Sequence, residues 1–149
     1  MKLLDKYNRV IIVTTIIVMV ITGIIYYGAI SWILTNQVDK DLVVEENEVF
    51  DYVKLNHRLP QVFESDDQQI SFYLAPAGSV KREFINTAYY NTKEKQNESG
   101  RGIISSVTVN GKYYKILVVE SKVETEELIR IIFVITIVVI LLLLATLLA

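Results

Sequence analysis

The side chains able to do chemistry are few and scattered. His57 is the only histidine, so it cannot supply a multi-histidine zinc site, and no Ser/His/Asp order can be read around it. It follows a helical stretch and lies between Asn56 and Arg58. That placement reads as a solvated or helix-capping residue, with pH sensing as the competing role. Glu64, Asp66 and Asp67 share one loop. Calcium favours such oxygen-rich loops, but the alternating ligands and the glycine of an EF-hand are missing, so the cluster reads as solvated charge. Lys81 and Arg82, with Tyr89 and Tyr90, would suit an anionic ligand; they equally suit the surface of a strand. Gly100, Arg101 and Gly102 match no phosphate-binding pattern. The chain has no cysteine, which excludes disulfides and thiolate metal sites. No catalytic, cofactor-binding or metal-ligating set emerges.

The elements that would position these residues are more legible. An uncharged apolar run extends from Val10 to Leu34, and a second from Ile131 to Ala149. The hydrocarbon core of a bilayer is about 30 Å thick and a helix rises about 1.5 Å per residue, so each run is long enough to cross. Between Asn36 and Glu127 there are 16 acids and 11 bases, a net charge of −5. Such a segment is too polar for lipid and has the wrong sign for nucleic acid. Lys2, Lys6 and Arg9 precede the first run against Asp5 alone, which by the positive-inside rule places the N-terminus in the cytoplasm. Tyr7 at one end, and Tyr26, Tyr27 and Trp32 toward the other, suit the interfacial belts. The first run is too long for a signal-peptide core, and no small-residue cleavage site follows it. The expected layout is therefore a cytoplasmic N-terminus over 1–9, a transmembrane helix over 10–34, an extracytoplasmic domain over 35–127 and a second transmembrane helix over 128–149. No Lys or Arg closes the second run, so the sequence reads as part of a longer chain that continues into the cytoplasm.

Within the domain, residues 35–56 lack Pro and Gly. Val38, Leu42, Val49, Tyr52 and Val53 recur at helical spacing, while Asp39, Asp41, Glu45, Glu46, Glu48 and Asp51 fill the solvent side. This predicts a stalk helix that continues the first span and stops near Asn56, before Pro60. Residues 61–119 form the sheet region. Gln61 to Phe63 is a short strand, residues 64–69 a loop, Ile70 to Leu74 a strand, and Ala75 to Ser79 a turn. Arg82 to Tyr90 is a strand, and Thr92 to Gly102 a loop. Residues 103–119 are a hairpin around Asn110 and Gly111, the pair a type I′ turn requires. Val107, Val109, Ile116 and Val118 are core positions. Ser121 and Glu124 fit a capping box that starts the second helix. Glu126 and Arg130 stand in the favoured order for a helical pair. Thr14, Thr15, Thr22, Gly23, Gly28 and Ala29 are small positions that allow helices to approach in lipid. The fold class is α+β: two transmembrane helices flank a small domain with an antiparallel sheet and a long helix continuous with the first span.

The sequence resembles the sensor region of transmembrane histidine kinases of the Bacteroidetes type. The resemblance rests on the start Met1 to Leu4, on Val38, Asp39, Asp41 and Leu42 in the stalk, and on the break Leu59-Pro60. It rests also on the hairpin from Val109 to Ile116 and the acidic entry from Ser121 to Ile129. It covers essentially the whole chain through order and spacing, each piece being weak alone. It implies a homodimer in a bacterial inner membrane, a small PAS-like sheet in the periplasm, and an extracytoplasmic ligand or protein as stimulus. It also implies a cytoplasmic part that uses ATP and magnesium and passes phosphate to a response regulator. His57 lies outside the membrane in this layout and is not the phosphate acceptor. The coupling residues at the two helix junctions are then Val38, Leu42, Val49, Ser121, Glu124, Glu126 and Arg130. Both junctions lack Gly and Pro, as stiff helices require. The alternative is a non-catalytic two-pass scaffold or assembly subunit with an extracytoplasmic interaction domain.

Overall fold

A computed structural model describes residues 2–65 and 67–148. Met1, Asp66 and Ala149 lie outside the described residues, and with them one end of the resemblance and one member of the acidic loop. The order of elements is α1 (Lys2–Asn56), β1 (Phe63–Glu64), β2 (Gln68–Leu74), β3 (Glu83–Asn91), β4 (Gln96–Val109), β5 (Lys112–Ser121) and α2 (Val123–Leu148). The fold is α+β, two long apolar helices flanking an antiparallel sheet. The chain divides into two units, residues 34–125 and residues 1–33 with 126–149.

The first unit is the sheet with the polar part of α1. Strand order is β1-β2-β5-β4-β3, antiparallel throughout. Strands β3, β4 and β5 form a meander, and β2 adds to the far side of β5. Residues 75–82 must therefore pass two intervening strands, about 14 Å at the usual strand spacing, which eight residues span easily. Asn110 and Gly111 close the β4–β5 hairpin with φ of 51° and 78°, the two positive values a type I′ turn demands. Register then places Ile103 beside Val118 and Ser105 beside Ile116, so one face carries Ile70, Phe72, Ile103, Ile116 and Val118. On that face Val38, Leu42 and Val49 of α1 complete the core, with Phe50, Phe84 and Val107 packed around it. Burying each such aliphatic side chain contributes about 1.5–3 kcal/mol, and this is what holds the stalk to the sheet.

The stalk ends at Asn56, as Pro60 requires. His57 adopts φ 53° and its N–H donates to the Val53 carbonyl at 2.8 Å, a left-handed helix cap. Its carbonyl accepts from Asn110 Nδ2 at 3.3 Å. His57 is thus a capping residue.

Several boundaries differ from the sequence expectation; β3 is shifted by one residue and β5 runs on to Ser121. Gln61 and Val62 are not strand; only Phe63 and Glu64 pair, with Ile70 and Gln69. Gln68 and Gln69 belong to β2 instead of the preceding loop. The largest correction is residues 96–102, expected as loop and found as the first half of β4. Only residues 92–95 turn, with Asn91 Oδ1 accepting from the N–H groups of Lys93 and Glu94 at 2.9 and 3.1 Å. Gly100 and Gly102 are there because the sheet is crowded. A methyl group on Gly100 would lie 3.1 Å from Val119 Cγ1 and 3.2 Å from Tyr89 Cβ. One on Gly102 would lie 3.1 Å from the Val118 carbonyl oxygen. Tyr89, 1% exposed, fills the space over this glycine strip and donates its hydroxyl to the Ser65 carbonyl.

The second unit contains the apolar parts of α1 and α2. Both helices are long and apolar enough to span a membrane. They run antiparallel, with the Tyr27 and Phe133 rings edge-on at 5.5 Å and the Gly23 position 3.6 Å from Ile140 Cδ1. Gly28 has no such neighbour. Thr136 returns its hydroxyl to the Ile132 carbonyl at 2.7 Å, so it exposes no unpaired donor. Most side chains here keep their outer surface bare; Ile24 is 67% exposed and Leu142 62%.

Candidate functional site

The candidate site is the seam where the stalk of α1 lies on the sheet. Helical spacing brings Val38, Leu42, Glu46, Val49 and Val53 onto one buried stripe. Glu46 was expected on the solvent side; it is 1% exposed. It lies four residues after Leu42 and three before Val49, a core position by geometry. A carboxylate there needs partners. Arg82 supplies them, Nε donating at 2.9 and 3.1 Å to the two oxygens and Nη2 at 2.7 Å. Burial pushes the Glu46 carboxyl up, but the hydrogen bonds from Arg82 and Ser105 and the charge of Arg82 outweigh it, and the pKa falls below the ordinary value.

A second clasp lies two turns earlier. Arg101 donates from Nε to Asp39 Oδ1 at 2.6 Å and from Nη2 to Asp39 Oδ2 at 3.0 Å. Its Nη1 reaches Asn86 Oδ1 at 3.1 Å. Asp39 holds the guanidinium above its ordinary range. Phe84 lies between the clasps, its ring centre 5.9 Å from the Arg82 guanidinium carbon and 5.5 Å from that of Arg101. Both arginines are thus tied to the stalk. By sequence alone Arg82 suits an anionic ligand or a strand surface, and Arg101 falls in no recognised motif. The signal for Glu46 was its place in the apolar stripe, and for Arg101 its position between two glycines in a strand-forming run.

The predicted coupling residues separate into two groups. Val38, Leu42 and Val49 meet in the seam. Ser121 does not form the expected capping box with Glu124. It is still the last residue of β5, paired with Gly100, and its N–H donates to the Asp67 carbonyl at 2.8 Å. Its hydroxyl donates to Glu98 Oε2 at 2.8 Å, while Asn91 Nδ2 donates to Glu98 Oε1 at 2.9 Å, tying β3, β4 and β5 together. The same hydroxyl oxygen accepts from the Val123 N–H at 3.4 Å. Glu124 is exposed on the first turn of α2. Glu126 and Arg130 are also exposed, and among the described residues no ion pair joins them. In the acidic loop, Asp67 Oδ1 accepts from the Ser65 hydroxyl at 2.7 Å. Among the described residues no group of three or more acids or histidines is arranged to hold a metal ion.

A different pocket, of about 290 Å³, is lined by Asp41, Val44, Glu45, Asp67, Gln68 and Glu120. Burial first, and then the negative charges of Asp41, Asp67, Glu45 and Glu124, push the Glu120 carboxyl up to about 7. No local sequence pattern reports this cluster, because its acids come from three distant segments.

Among the described residues the seam shows no constellation for covalent chemistry. No curated protein and no solved structure matches the chain. The model of a family described as a domain of unknown function (DUF8486) matches residues 4–145, nearly the full length, and the chain belongs to that family.

Proposed function

We propose that the chain is the signal-input region of a two-component transmembrane histidine kinase. In this reading the two apolar helices cross a bacterial inner membrane, the N-terminus is cytoplasmic and residues 34–125 are periplasmic. Two copies pair, and the helices from both build a four-helix bundle in the lipid. A cytoplasmic kinase part, using ATP and magnesium, would pass phosphate to a response regulator.

One observation carries the reading. α1 is a single helix from Lys2 to Asn56, apolar over its first part and clasped to the sheet over its last. A rod held by a buried stripe and two forked arginines has little freedom to slide on the sheet. Any rearrangement of the sheet is then passed to the helix as a shift or rotation. A stimulus acts only if it binds two arrangements of this seam unequally. The bare apolar surface of the paired helices supports a lipid surrounding. The negative central domain supports a partner other than nucleic acid.

The test is insertion of one alanine after Glu126 in the full-length protein. The insertion turns the following helix by about 100° while leaving the sheet untouched. In membrane vesicles supplied with ATP, phosphorylation of the cytoplasmic part should rise or fall against wild type. Unchanged phosphorylation, or none in either protein, rejects the relay and favours the two-pass scaffold.

A further inference from the structure

The pocket between the stalk and the end of β5 is used by neither clasp. Four of its six lining side chains are acids and none is a base. Three segments supply them: Asp41 and Glu45 from α1, Asp67 from the residue before β2, and Glu120 from β5. Glu124, on the first turn of α2, adds a fifth negative charge. The base nearest in register is Arg101, paired with Glu120 across β4 and β5, but its guanidinium is committed to Asp39. Gln68, opposite Glu120 on β2, brings no charge. Lys40 on α1 and Lys122 after β5 are not among the charges that act on Glu120. Among the described residues the Glu120 carboxylate has no hydrogen bond or ion pair.

We propose that this pocket is a proton-operated joint: with Glu120 protonated, α1 and the end of β5 close over it, and with Glu120 ionised, the five carboxylates repel and part them. The position suits a joint. Asp41 and Glu45 are one residue from the core side chains Leu42 and Glu46, and Glu120 is three residues before α2 begins. Opening therefore loosens the stalk seam and the start of α2 together. The carboxyl of Glu120 titrates at about 7, so the change falls in the neutral range. For the proposed receptor the stimulus would be external acidity. That use rests on the sensor reading; the titration of the joint does not.

The test is amide hydrogen exchange on the full chain in lipid nanodiscs, corrected for intrinsic pH dependence. It follows segments 38–49 and 117–124 from pH 6 to pH 8. In the wild type protection should fall severalfold, with a midpoint near 7; the full linkage effect would be about tenfold, and the part of Glu120 that water reaches reduces it. Glu120→Gln should stay protected across the range. Glu45→Gln, which leaves Glu120 in place, should move the midpoint down. Flat wild-type exchange overturns the joint, and so does the same fall in Glu120→Gln. Because the readout involves no kinase, failure of the sensor reading leaves this result unaffected.

Discussion

Glu46 and Arg82 are unequal partners. The carboxylate is buried, while the Arg82 side chain is 54% exposed. Removing the arginine strands a buried charge, whereas removing the carboxylate leaves an arginine that water can solvate. Arg82→Ala should therefore cost about 3 kcal/mol, the low end for a broken buried pair, and Glu46→Gln about 1 kcal/mol. Denaturant unfolding of both variants checks the order; equal costs would contradict the asymmetry. The pH dependence has a defined sign. Glu46 has a lowered folded pKa, so its contribution is present above the unfolded value of 4.5 and lost as pH falls. In Arg82→Ala only the Ser105 hydrogen bond still opposes the desolvation of Glu46, and protonation relieves it, so the deficit should shrink from pH 8 to pH 5. Glu120 acts oppositely. Its folded pKa of about 7 exceeds the unfolded 4.5, so its contribution is full below 4.5 and lost as pH rises through 7. Tyr89→Phe keeps the ring over the glycines but loses the bond to Ser65, and should cost about 1 kcal/mol in the same assay.

Helix and strand differ in how openly they state their purpose. The stalk was legible because Val38, Leu42, Val49 and Val53 repeat at helical spacing and Pro60 sets the end. The hairpin was legible because Asn110 and Gly111 allow little else. The first half of β4 was not. Gln96 to Gly102 has strongly polar and glycine-rich composition, and its pairing is dictated by β3 and β5 on either side, a tertiary context that no local pattern reports. The clasps were hidden for the same reason: Asp39 meets Arg101 across 62 residues, and Glu46 meets Arg82 across 36. Gly100→Ala tests the crowding directly. The added methyl group must displace Val119 or Tyr89, at about 1–3 kcal/mol, read as a lower unfolding midpoint. An unchanged midpoint would mean that the strip has slack.

The molecule as a whole combines two solvents' worth of sequence. One unit buries its apolar side chains in a sheet core, and the other turns them outward. Water around the second unit would be costly at about 25 cal/mol per Å² of apolar surface, whereas lipid removes that cost. The sensor proposal depends on this division being a division of compartments. The sequence has no cysteine, so single introduced thiols report without background. Lys6 and Lys112 are both exposed, one before the first apolar run and one at the hairpin tip. The decisive measurement treats intact cells with a membrane-impermeant maleimide. Lys112→Cys should be labelled from outside, and Lys6→Cys only after lysis. Labelling of Lys6→Cys in intact cells, with Lys112→Cys protected until lysis, would contradict the account.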